Sequence, residues 1–389
     1  MVEWKEMWQV TTWDKKFSGV DKAMQPKVIK YHYYLANELS ELERQNGDIR
    51  ILYTTDKIAF ADSADVDGNI SEGEVVAIPW GGNVTIKYYK GKFVTADNRI
   101  ATSNNTNYLN NKFLYYWMLS QTDLISSFYR GAGIQHPSMY KVLTMPVPIP
   151  SLSEQTRIVG ILDTFAASID NLKEQIAQRR KQYEYYSDQL LDLEGKPGVE
   201  WFELLELCDY VDYRGKTPSK VDAGIFLVTA KNIRKGYIDY DNSKEYISED
   251  DFEEVMHRGK PQIGDVLVTT EAPLGNVAQI DNENIALAQR VIKYRPKDER
   301  LNSSYLKYIL LGSEFQIRLE KEATGATAKG IKGSKLHRMH IPLPPLSEQQ
   351  RIVTILDTFE ASIRNLEAQQ MQREKQYEYY RNKLLTFER

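Results

Sequence analysis

The sequence has a single cysteine and no long apolar run, and each scarcity excludes a class of protein. Cys208 is the only cysteine among 389 residues, so no intramolecular disulfide can form, as is usual in a reducing compartment. No apolar run approaches the ~20 residues that span a bilayer. Residues 1–10 mix Glu and Lys with apolar residues, unlike a secretory signal peptide. We therefore expect a soluble, cytoplasmic protein.

Net positive charge is also missing. The formal net charge is −4, which counts against a uniformly basic, nonspecific nucleic-acid binder. A DNA-binding protein whose local basic surfaces are offset by acidic surfaces elsewhere is still compatible with this net charge. The hydrophobic share of 42% and the aromatic share of 11% are typical of a globular chain, and the length predicts two to four domains.

Motifs that carry catalysis are absent as well. His337 and His340 could share a helical face as metal ligands, but no cysteine or acidic cluster joins them, so a basic surface patch is favoured over a metal site. Gly325 and Gly330 have the spacing of a phosphate-binding loop, yet Ile331 stands where its lysine is required. There is no dinucleotide fingerprint, no Asn-Pro-Pro-aromatic motif of DNA methyltransferases and no nucleophile–base pair. The pattern predicts a non-catalytic chain without a metal.

A long internal repeat organises the chain. Residues 152–191 recur at 346–385, an offset of 194, with 28 identities in 40 positions. The repeat persists faintly between these copies: Gly82-Asn83-Val84 matches Gly275-Asn276-Val277, and Arg99 matches Arg290. The order is therefore variable domain, constant helix, variable domain, constant helix. The predicted boundaries are domain one at 1–145, helical spacer one at 146–196, domain two at 197–338 and helical spacer two at 339–389.

Apolar and aromatic residues of the constant segments recur in alternating steps of about four and three, the 3.5-residue period of a left-handed coiled coil. The predicted seam comprises Ile158, Leu162, Phe165, Ile169, Leu172, Ile176, Tyr183, Tyr186, Leu190, Ile352, Leu356, Phe359, Ile363, Leu366, Tyr377, Tyr380 and Leu384. Each helix could pack on its own domain, but mutual pairing is favoured because so regular a seam needs a partner. An antiparallel pair would relate the two domains by a pseudo-two-fold axis.

The variable domains read as mixed α and β, so the predicted fold class is α+β. In the first domain we predict helices at 26–44 and 113–128, with strands at 49–53, 74–78 and 84–89. In the second domain we predict strands at 225–229, 266–270 and 291–294, and a helix at 305–320. A Gly-rich loop then precedes the Pro-rich entry to each constant helix.

Glycine, lysine, arginine and threonine cluster in loops suited to phosphate and base contact. Each cluster alone is compatible with a solvated loop, but the two Gly-rich loops and the two matched arginines occupy corresponding places in both domains. The candidate DNA contacts are Asn98, Arg99, Arg130, Gln135, His136, Arg214, Lys216, Thr217, Lys231, Arg234, Arg290, Thr324, Thr327, Lys329, Lys332 and Lys335.

Several of these segments resemble a known family. Residues 341–352, Ile-Pro-Leu-Pro-Pro-Leu-Ser-Glu-Gln-Gln-Arg-Ile, resemble the entry to the conserved helices of Type I restriction specificity subunits, and residues 148–158 are their twin. Trp201, Gly215-Lys216-Thr217-Pro218 and the loop at 324–333 also resemble the family's target-recognition domains. The first 60 residues follow the family less closely, although Val2-Glu3-Trp4 echoes Val199-Glu200-Trp201.

The resemblance implies a bacterial specificity subunit that recognises DNA and catalyses nothing. In that family each target-recognition domain reads one half of a split double-stranded target, while the helices act as a spacer and dock two methyltransferase subunits. Motor-nuclease subunits then join, and S-adenosylmethionine, ATP and Mg belong to the partner subunits. Two alternatives stay open at this point: a coiled-coil interaction or scaffold protein, and the recognition subunit of another restriction–modification type.

Overall fold

The computed structural model describes residues 2–66, 68–213, 218–325 and 329–388. They form two compact units, one of residues 1–173 with 369–389 and the other of residues 174–368. Each unit contains one variable domain together with one end of each long helix. The long helices are α6 (Leu152–Leu191) and α12 (Leu346–Leu385).

The first unit is built on one large sheet. The strands of the unit as a whole are β1 (Glu3–Glu6), β2 (Thr11–Trp13), β3 (Glu43–Arg44), β4 (Ile49–Leu52), β5 (Ile58–Ala61), β6 (Ser71–Pro79), β7 (Lys87–Thr95), β8 (Asn98–Ser103), β9 (Tyr129–Arg130), β10 (His136–Pro137) and β11 (Pro146–Ile149). Its short helices are α1 (Met7–Val10), α2 (Ala36–Glu41), α3 (Asn111–Ser120), α4 (Thr122–Ser126) and α5 (Met139–Leu143), with 3-10 turns at Lys22–Met24 and Ser63–Asp65. The sheet order is β2-β8-β6-β7-β4-β5-β3, and β9 pairs with β10. The long helix α6 (Leu152–Leu191) starts in this unit.

The second unit repeats part of this plan. Its strands are β12 (Glu200–Glu203), β13 (Cys208–Asp212), β14 (Ile225–Val228), β15 (Tyr246–Ile247), β16 (Val266–Thr270), β17 (Leu274–Gln279), β18 (Ile285–Leu287), β19 (Val291–Pro296) and β20 (His340–Leu343). Its helices are α7 (Leu204–Leu207), α8 (Phe252–Val255), α9 (Ser303–Leu311), α10 (Ser313–Glu322), α11 (Gly333–Leu336) and the long α12 (Leu346–Leu385). Two sheets have the orders β13-β19-β16-β17 and β15-β14-β18.

The two units share a four-stranded antiparallel module. The order β2-β8-β6-β7 in the first unit corresponds to β13-β19-β16-β17 in the second. A helix that begins at an asparagine cap packs on each module, α3 after Asn110 and α9 after Asn302. Phe113 and Leu114 of α3 and Tyr305 and Leu306 of α9 are fully buried there, because the apolar faces of helix and sheet exclude water together.

A short strand pair ties the beginning of each domain to its end. Strand β1 pairs with β11 so that Trp4 faces Pro148, and β12 pairs with β20 so that Trp201 faces Pro342. Each of these sheets has only two strands, so one edge of the Pro-rich strand pairs with no neighbour. Proline is tolerated because the backbone N–H that it lacks is not needed at that edge. The predicted boundaries after residues 145 and 338 separate these partners, whereas the structure keeps each pair within one unit.

The two long helices pair antiparallel, as predicted. In the first unit the rings of Phe165 and Tyr380 stack with centroids 5.3 Å apart. In the second unit the rings of Tyr186 and Phe359 stack with centroids 5.6 Å apart. Phe165 and Phe359 occupy the same place in the two copies of the repeat, as do Tyr186 and Tyr380. The same phenylalanine–tyrosine contact therefore forms in both units.

The seam residues are most completely buried where each helix begins. Ile158 and Leu162 belong to the core of the first domain, and Ile352 and Leu356 belong to that of the second. The first turns therefore pack on their own domains while the rest of each helix pairs with its partner. Of the other seam positions, Ile169, Leu172 and Ile176 are buried, Phe165, Tyr183, Leu190, Phe359, Ile363, Leu366, Tyr377 and Leu384 are partly buried, and Tyr186 and Tyr380 are exposed.

The predicted helix at 26–44 is wrong. Only Ala36–Glu41 is helical, and the preceding chain is extended along the sheet, with bridges from Val28 to Trp13 and from Tyr33 to Thr95. Tertiary pairing overrides local helix propensity here. The predicted helix at 113–128 is interrupted at Gln121, and that at 305–320 is interrupted at Gly312. Within the described ranges no helix is both long and apolar enough to cross a bilayer.

Candidate nucleic-acid interface

The Gly-rich loop of the first domain is the tip of a small hairpin docked on the sheet. Strands β9 and β10 pair Arg130 with His136. The Nδ1 atom of His136 lies 2.7 Å from the carbonyl oxygen of Trp80, and the amide of Gly82 donates to the carbonyl of Gln135 at 3.1 Å. The side chains of Arg130, Gln135 and His136 are exposed. The hairpin therefore presents all three predicted contacts of this loop on one rigid support.

A buried arginine supports that hairpin from below. The Arg99 side chain is fully buried, its Nη1 atom lies 2.7 Å from Oδ2 of Asp14, and it also pairs with Asp97. Its guanidinium lies 4.8 Å from the centroid of the Trp80 ring, and the His136 ring lies 5.1 Å from the same centroid. Burial raises the pKa of Asp14 even though the hydroxyl of Tyr33, Arg99 and the Ile100 amide all stabilise its carboxylate. Arg99 therefore packs against the tryptophan ring on which the Gly-rich hairpin rests.

Asn98 and Arg99 are removed from the candidate DNA contacts by this geometry. Both are fully buried. The Asn98 amide donates to the carbonyls of Leu52 and Tyr53 at 2.9 and 3.4 Å. A base or phosphate cannot reach either side chain, because both are fully buried inside the first domain. The sequence matched them to an exposed loop because the polar residues around them resemble those before Arg290.

The second domain docks its Gly-rich loop at the corresponding place. Thr324 and Gly330 exchange two backbone hydrogen bonds of 2.9 Å, which close the loop. The amide of Ile331 donates to the carbonyl of Thr270 at 3.0 Å, and Gly330 forms a bridge with Glu271. The loop is therefore fixed to the end of β16, as the first hairpin is fixed to the end of β6.

A matched turn follows the supporting strand in each domain and explains the repeated glycine of Gly-Asn-Val. Gly82 and Gly275 have φ of 89° and 77°, a conformation that glycine adopts without strain. A Cβ added to Gly275 would also lie 2.6 Å from Oε1 of Gln316. The Asn276 amide donates to the carbonyl of Ile233 at 2.7 Å, which ties the turn to the loop carrying Lys231.

Two adjoining depressions of the second domain bring several predicted contacts together. One is lined by Thr324, Lys332 and Arg290, and the other by Lys231 and again Arg290. All four side chains are exposed. Lysines and a threonine around an arginine can neutralise phosphates and reach base edges, so this surface is the strongest candidate interface on the described chain.

Other predicted contacts are already paired within the protein. The ammonium groups of Lys329 and Lys335 lie 3.3 and 2.9 Å from carboxylate oxygens of Glu320 and Glu322. Arg234 lies 3.2 Å from Asp239 within its own turn. These cations contribute less local positive charge than the sequence indicated. The remaining candidates, Arg214, Lys216, Thr217 and Thr327, lie outside the described residues.

The interpretation of His337 and His340 as one basic surface patch is wrong for His337. His337 is buried, its Nδ1 atom lies 2.9 Å from the Tyr294 hydroxyl, and its ring centroid lies 3.7 Å from that of Tyr210. His340 is exposed. Among the described residues no group of three or more His, Cys, Asp or Glu is arranged to hold a metal ion. Burial raises the pKa of the Cys208 thiol to about 12, which makes it a poor nucleophile.

The sequence prediction missed Ile134, which is 71% exposed at the hairpin tip. Its Cγ2 atom would lie 2.7 Å from a Cβ on Gly81, so the glycine allows the close approach. An exposed branched side chain beside Arg130 and Gln135 can contact a thymine methyl group. The signal was available, since an apolar residue in a loop of glycines has no core to enter.

Each constant helix is fastened to its domain by an identical glutamine. Gln155 accepts from the Asn110 amide at 2.8 Å, and its Nε2 atom donates to the carbonyls of Tyr108 and Pro150. Gln349 does the same with Asn302, Arg300 and Pro344 at 2.7 to 2.8 Å. Both glutamines are fully buried. Because every polar atom is satisfied, this contact fixes the helix to the cap of α3 or α9.

Comparison with known proteins identifies the class of this arrangement, in which two similar domains alternate with two copies of a long helix. A family model described as the type I restriction modification DNA specificity domain matches residues 26–179 and again 198–373. The chain therefore belongs to the type I restriction–modification DNA specificity family.

Individual relatives agree with this assignment. The chain is 32% identical over 297 residues to the type I restriction enzyme EcoR124I/EcoR124II specificity subunit of Escherichia coli, covering 71% of this chain and 70% of that protein. Its fold is similar to the crystal structure of the S subunit of a type I restriction–modification system from M. genitalium, with a TM-score of 0.65, 14% identity and coverage of 100% and 97%. A second solved structure, from a study of complex assembly and conformational transition in the type I system, has a TM-score of 0.54 at 18% identity, with coverage of 99% and 97%.

Proposed function

We propose that this chain reads a split, asymmetric double-stranded DNA target, with one half-site bound by each domain. One observation carries the proposal. Both domains dock a Gly-rich loop on the same strand of the same four-stranded module, yet the exposed side chains differ. The first presents Arg130, Ile134 and Gln135, whereas the second presents Arg290 and Lys332. Equivalent supports with different donors and apolar groups suit two different half-sites.

We further propose that the helices dock two copies of a methyltransferase subunit. Two identical partners need two identical surfaces, and the repeat supplies them. Tyr185 and Tyr379 occupy the same place in the copies and are 58% and 59% exposed. A two-pronged ion pair also recurs on the exposed face of each helix start, between Glu154 and Arg157 and between Glu348 and Arg351. Motor-nuclease subunits would join through the same assembly.

In this proposal the chain supplies no catalytic group, and S-adenosylmethionine, ATP and Mg are bound by partner subunits. We expect the purified chain alone to transfer no methyl group and to cut no DNA when all three are present. Addition of the cognate methyltransferase subunit should restore methylation of DNA that carries the target. Methyl transfer by a preparation shown by mass spectrometry to contain this chain alone would contradict the proposal.

The change Lys332→Ala tests whether the second-domain surface binds DNA. We expect the assembled methyltransferase complex to lose affinity about equally for all duplexes, and the slope of log affinity against log salt to become shallower by about one. Lys332 is exposed and has no ion-pair partner among the described residues. Replacing Lys329 and Lys335 as well should weaken binding further, but by less per lysine, because both are paired to glutamates.

Lys329→Ala alone is the matched control for Lys332→Ala and should have the smaller effect. Affinity and salt slope equal to those of the parent in the triple variant would exclude this loop from the interface. A parent complex whose DNA binding is neither salt-sensitive nor sequence-selective would instead favour a coiled-coil scaffold that binds protein. Neighbouring reading frames for a methyltransferase and a helicase-like nuclease would separate the type I system from other restriction–modification types.

A further inference from the structure

Arg290 has an unusual backbone conformation that the protein holds in place. Its φ is 73°, in the left-handed region that residues other than glycine rarely adopt. Its carbonyl accepts hydrogen bonds from both the amide and the hydroxyl of Thr270, at 2.9 and 3.3 Å. A conformation that costs free energy persists only where its surroundings impose it, and such positions concentrate at functional sites.

The side chain of Arg290 is supported at one end and open at the other. Its Nε atom lies 2.8 Å from Oε1 of Glu271, and the two side chains are 54% and 44% exposed. Neither Nη nitrogen has a partner in the part of the chain that the structure describes. The ion pair therefore restrains the guanidinium while leaving its two-pronged terminal donors for a ligand.

Glu271 is itself fixed by the Gly-rich loop. It forms a backbone bridge with Gly330, and a Cβ on Gly330 would lie 3.2 Å from the Cβ of Glu271 and 3.3 Å from the Thr270 carbonyl oxygen. A side chain at position 330 would therefore require these neighbours to shift by a few tenths of an ångström. Three segments, the end of β16, the turn before β19 and the chain around Gly330, thus converge on one arginine.

We propose that Arg290 reads a guanine in the half-site bound by the second domain, and that Glu271 is its positioning residue. The inference rests on the proposed function and names the base class for this site. Two parallel donors match the O6 and N7 acceptors that guanine presents in the major groove, and arginine is the commonest reader of that pair. A restrained arginine loses less rotamer entropy on binding than a free one.

The first domain cannot use the same device. Its sequence-matched arginine, Arg99, is buried against Asp14 and presents no donor to solvent. The guanine contact of Arg290 should therefore belong to one half-site only. This difference is a second reason to expect unequal half-sites on similar supports.

The test uses the assembled methyltransferase complex and duplexes carrying its methylated motif, with one guanine at a time replaced by 7-deazaguanine. This analogue pairs normally but lacks the N7 acceptor. For the parent complex we expect one guanine, in one half-site, whose replacement weakens binding about threefold to tenfold, as for one bond of a bidentate pair. The complex carrying Arg290→Ala should bind the guanine duplex and the duplex with 7-deazaguanine at that position equally well. Every other guanine should respond as in the parent.

Two further variants separate reading from folding. Arg290→Gly should raise the melting temperature, since glycine adopts φ of 73° freely, while losing the same discrimination. Glu271→Gln should weaken discrimination at the same guanine and raise affinity for unrelated duplexes, because a negative charge near the phosphates is gone. Arg338→Ala, which removes an exposed arginine from another depression of this domain, is the matched control and should keep the parent's pattern.

The proposal is overturned if the parent tolerates 7-deazaguanine everywhere, or if Arg290→Ala and Arg290→Gly retain its pattern. It is also overturned if Arg290→Gly lowers the melting temperature together with all binding, since that result assigns Arg290 to the fold. These failures leave the proposed function intact provided that the complex still selects a split motif. Loss of sequence selectivity in the parent itself would refute the proposed function instead.

Discussion

Arg99→Ala is expected to destabilise the first domain by about 3–5 kcal/mol, the usual cost of breaking a buried ion pair from one side. The substitution leaves the carboxylate of Asp14 fully buried without its cation. It also removes the guanidinium that lies against the ring of Trp80, on which the Gly-rich hairpin rests. The change should therefore weaken DNA binding as a consequence of unfolding, without any direct contact to DNA.

Urea denaturation followed by tryptophan fluorescence measures this effect, because five of the six tryptophans, all except Trp201, precede residue 146. The matched variant is Arg290→Ala, at the sequence-equivalent position of the second domain. Its side chain is 54% exposed, so we expect a change below about 1 kcal/mol. Arg99→Asn together with Asp14→Asn should recover part of the loss. Equal stability of Arg99→Ala and Arg290→Ala would refute the supporting role of Arg99.

Lengthening both helices by one heptad is expected to change the distance between the half-sites without changing the half-sites themselves. Seven residues inserted after Leu172 and seven after Leu366 return each seam to the same face. The predicted seams from Ile158 to Leu190 and from Ile352 to Leu384 are rods of about 48 Å at ~1.5 Å per residue. Each insertion adds roughly 10 Å, or about three base pairs, so the spacer should grow by roughly two to four base pairs.

The readout is the methylated motif of the lengthened variant in cells that carry the complete system. Lower activity is expected, since each added base pair rotates one half-site relative to the other. Insertion of two residues at the same places is the control, because at 3.6 residues per turn it rotates the rest of each seam by about 200° off its face and should abolish methylation at any spacing. If the heptad variant methylates the original spacing as well as the parent does, the helices do not set the distance.

The helices and the repeat could be predicted from the sequence because their signals are local. A constant period from Ile158 to Leu190, copied at an offset of 194, needs no tertiary information. Both helices span the 40 repeated positions, Leu152–Leu191 and Leu346–Leu385. The seam favours mutual pairing of the helices over separate packing on the domains. In the structure the first turns pack on their own domains, since Ile158 and Ile352 belong to domain cores, and the rest of each helix pairs with its partner.

The candidate contacts could be predicted only in part, because burial depends on residues far away in the chain. Arg99 and Arg290 match in the repeat, yet Arg99 is buried by Asp14, which lies 85 positions away. No local pattern announces that partner. The same limit explains the wrong helix at 26–44, whose tyrosines pack on the sheet: the Tyr31 ring lies 5.5 Å from that of Phe93. By contrast, the described ends of the two Gly-rich loops contact the ends of corresponding strands, β6 and β16, in the two domains.

The Val-Glu-Trp echo shows how a weak sequence match can mark a real structural equivalence. Trp4 and Trp201 lie on strands that pair with Pro148 and Pro342. A four-residue helix follows each strand, and its third residue caps the strand end: Gln9 accepts from the Glu6 amide at 2.9 Å, and Glu206 accepts from that of Glu203 at 2.7 Å. Glutamine and glutamate accept this bond equally well, so the geometry persists where identity is lost.

Single-molecule methylome sequencing of cells that carry the complete system tests the central claim most directly. Two similar domains with different exposed residues predict a motif of two unequal short half-sites separated by unspecified base pairs. Replacing residues 197–343, which keeps β12 with its partner β20, with the corresponding domain of a relative should change one half-site and leave the other and the spacer unchanged. A continuous motif, a perfect palindrome, or a domain exchange that alters both half-sites would contradict the account.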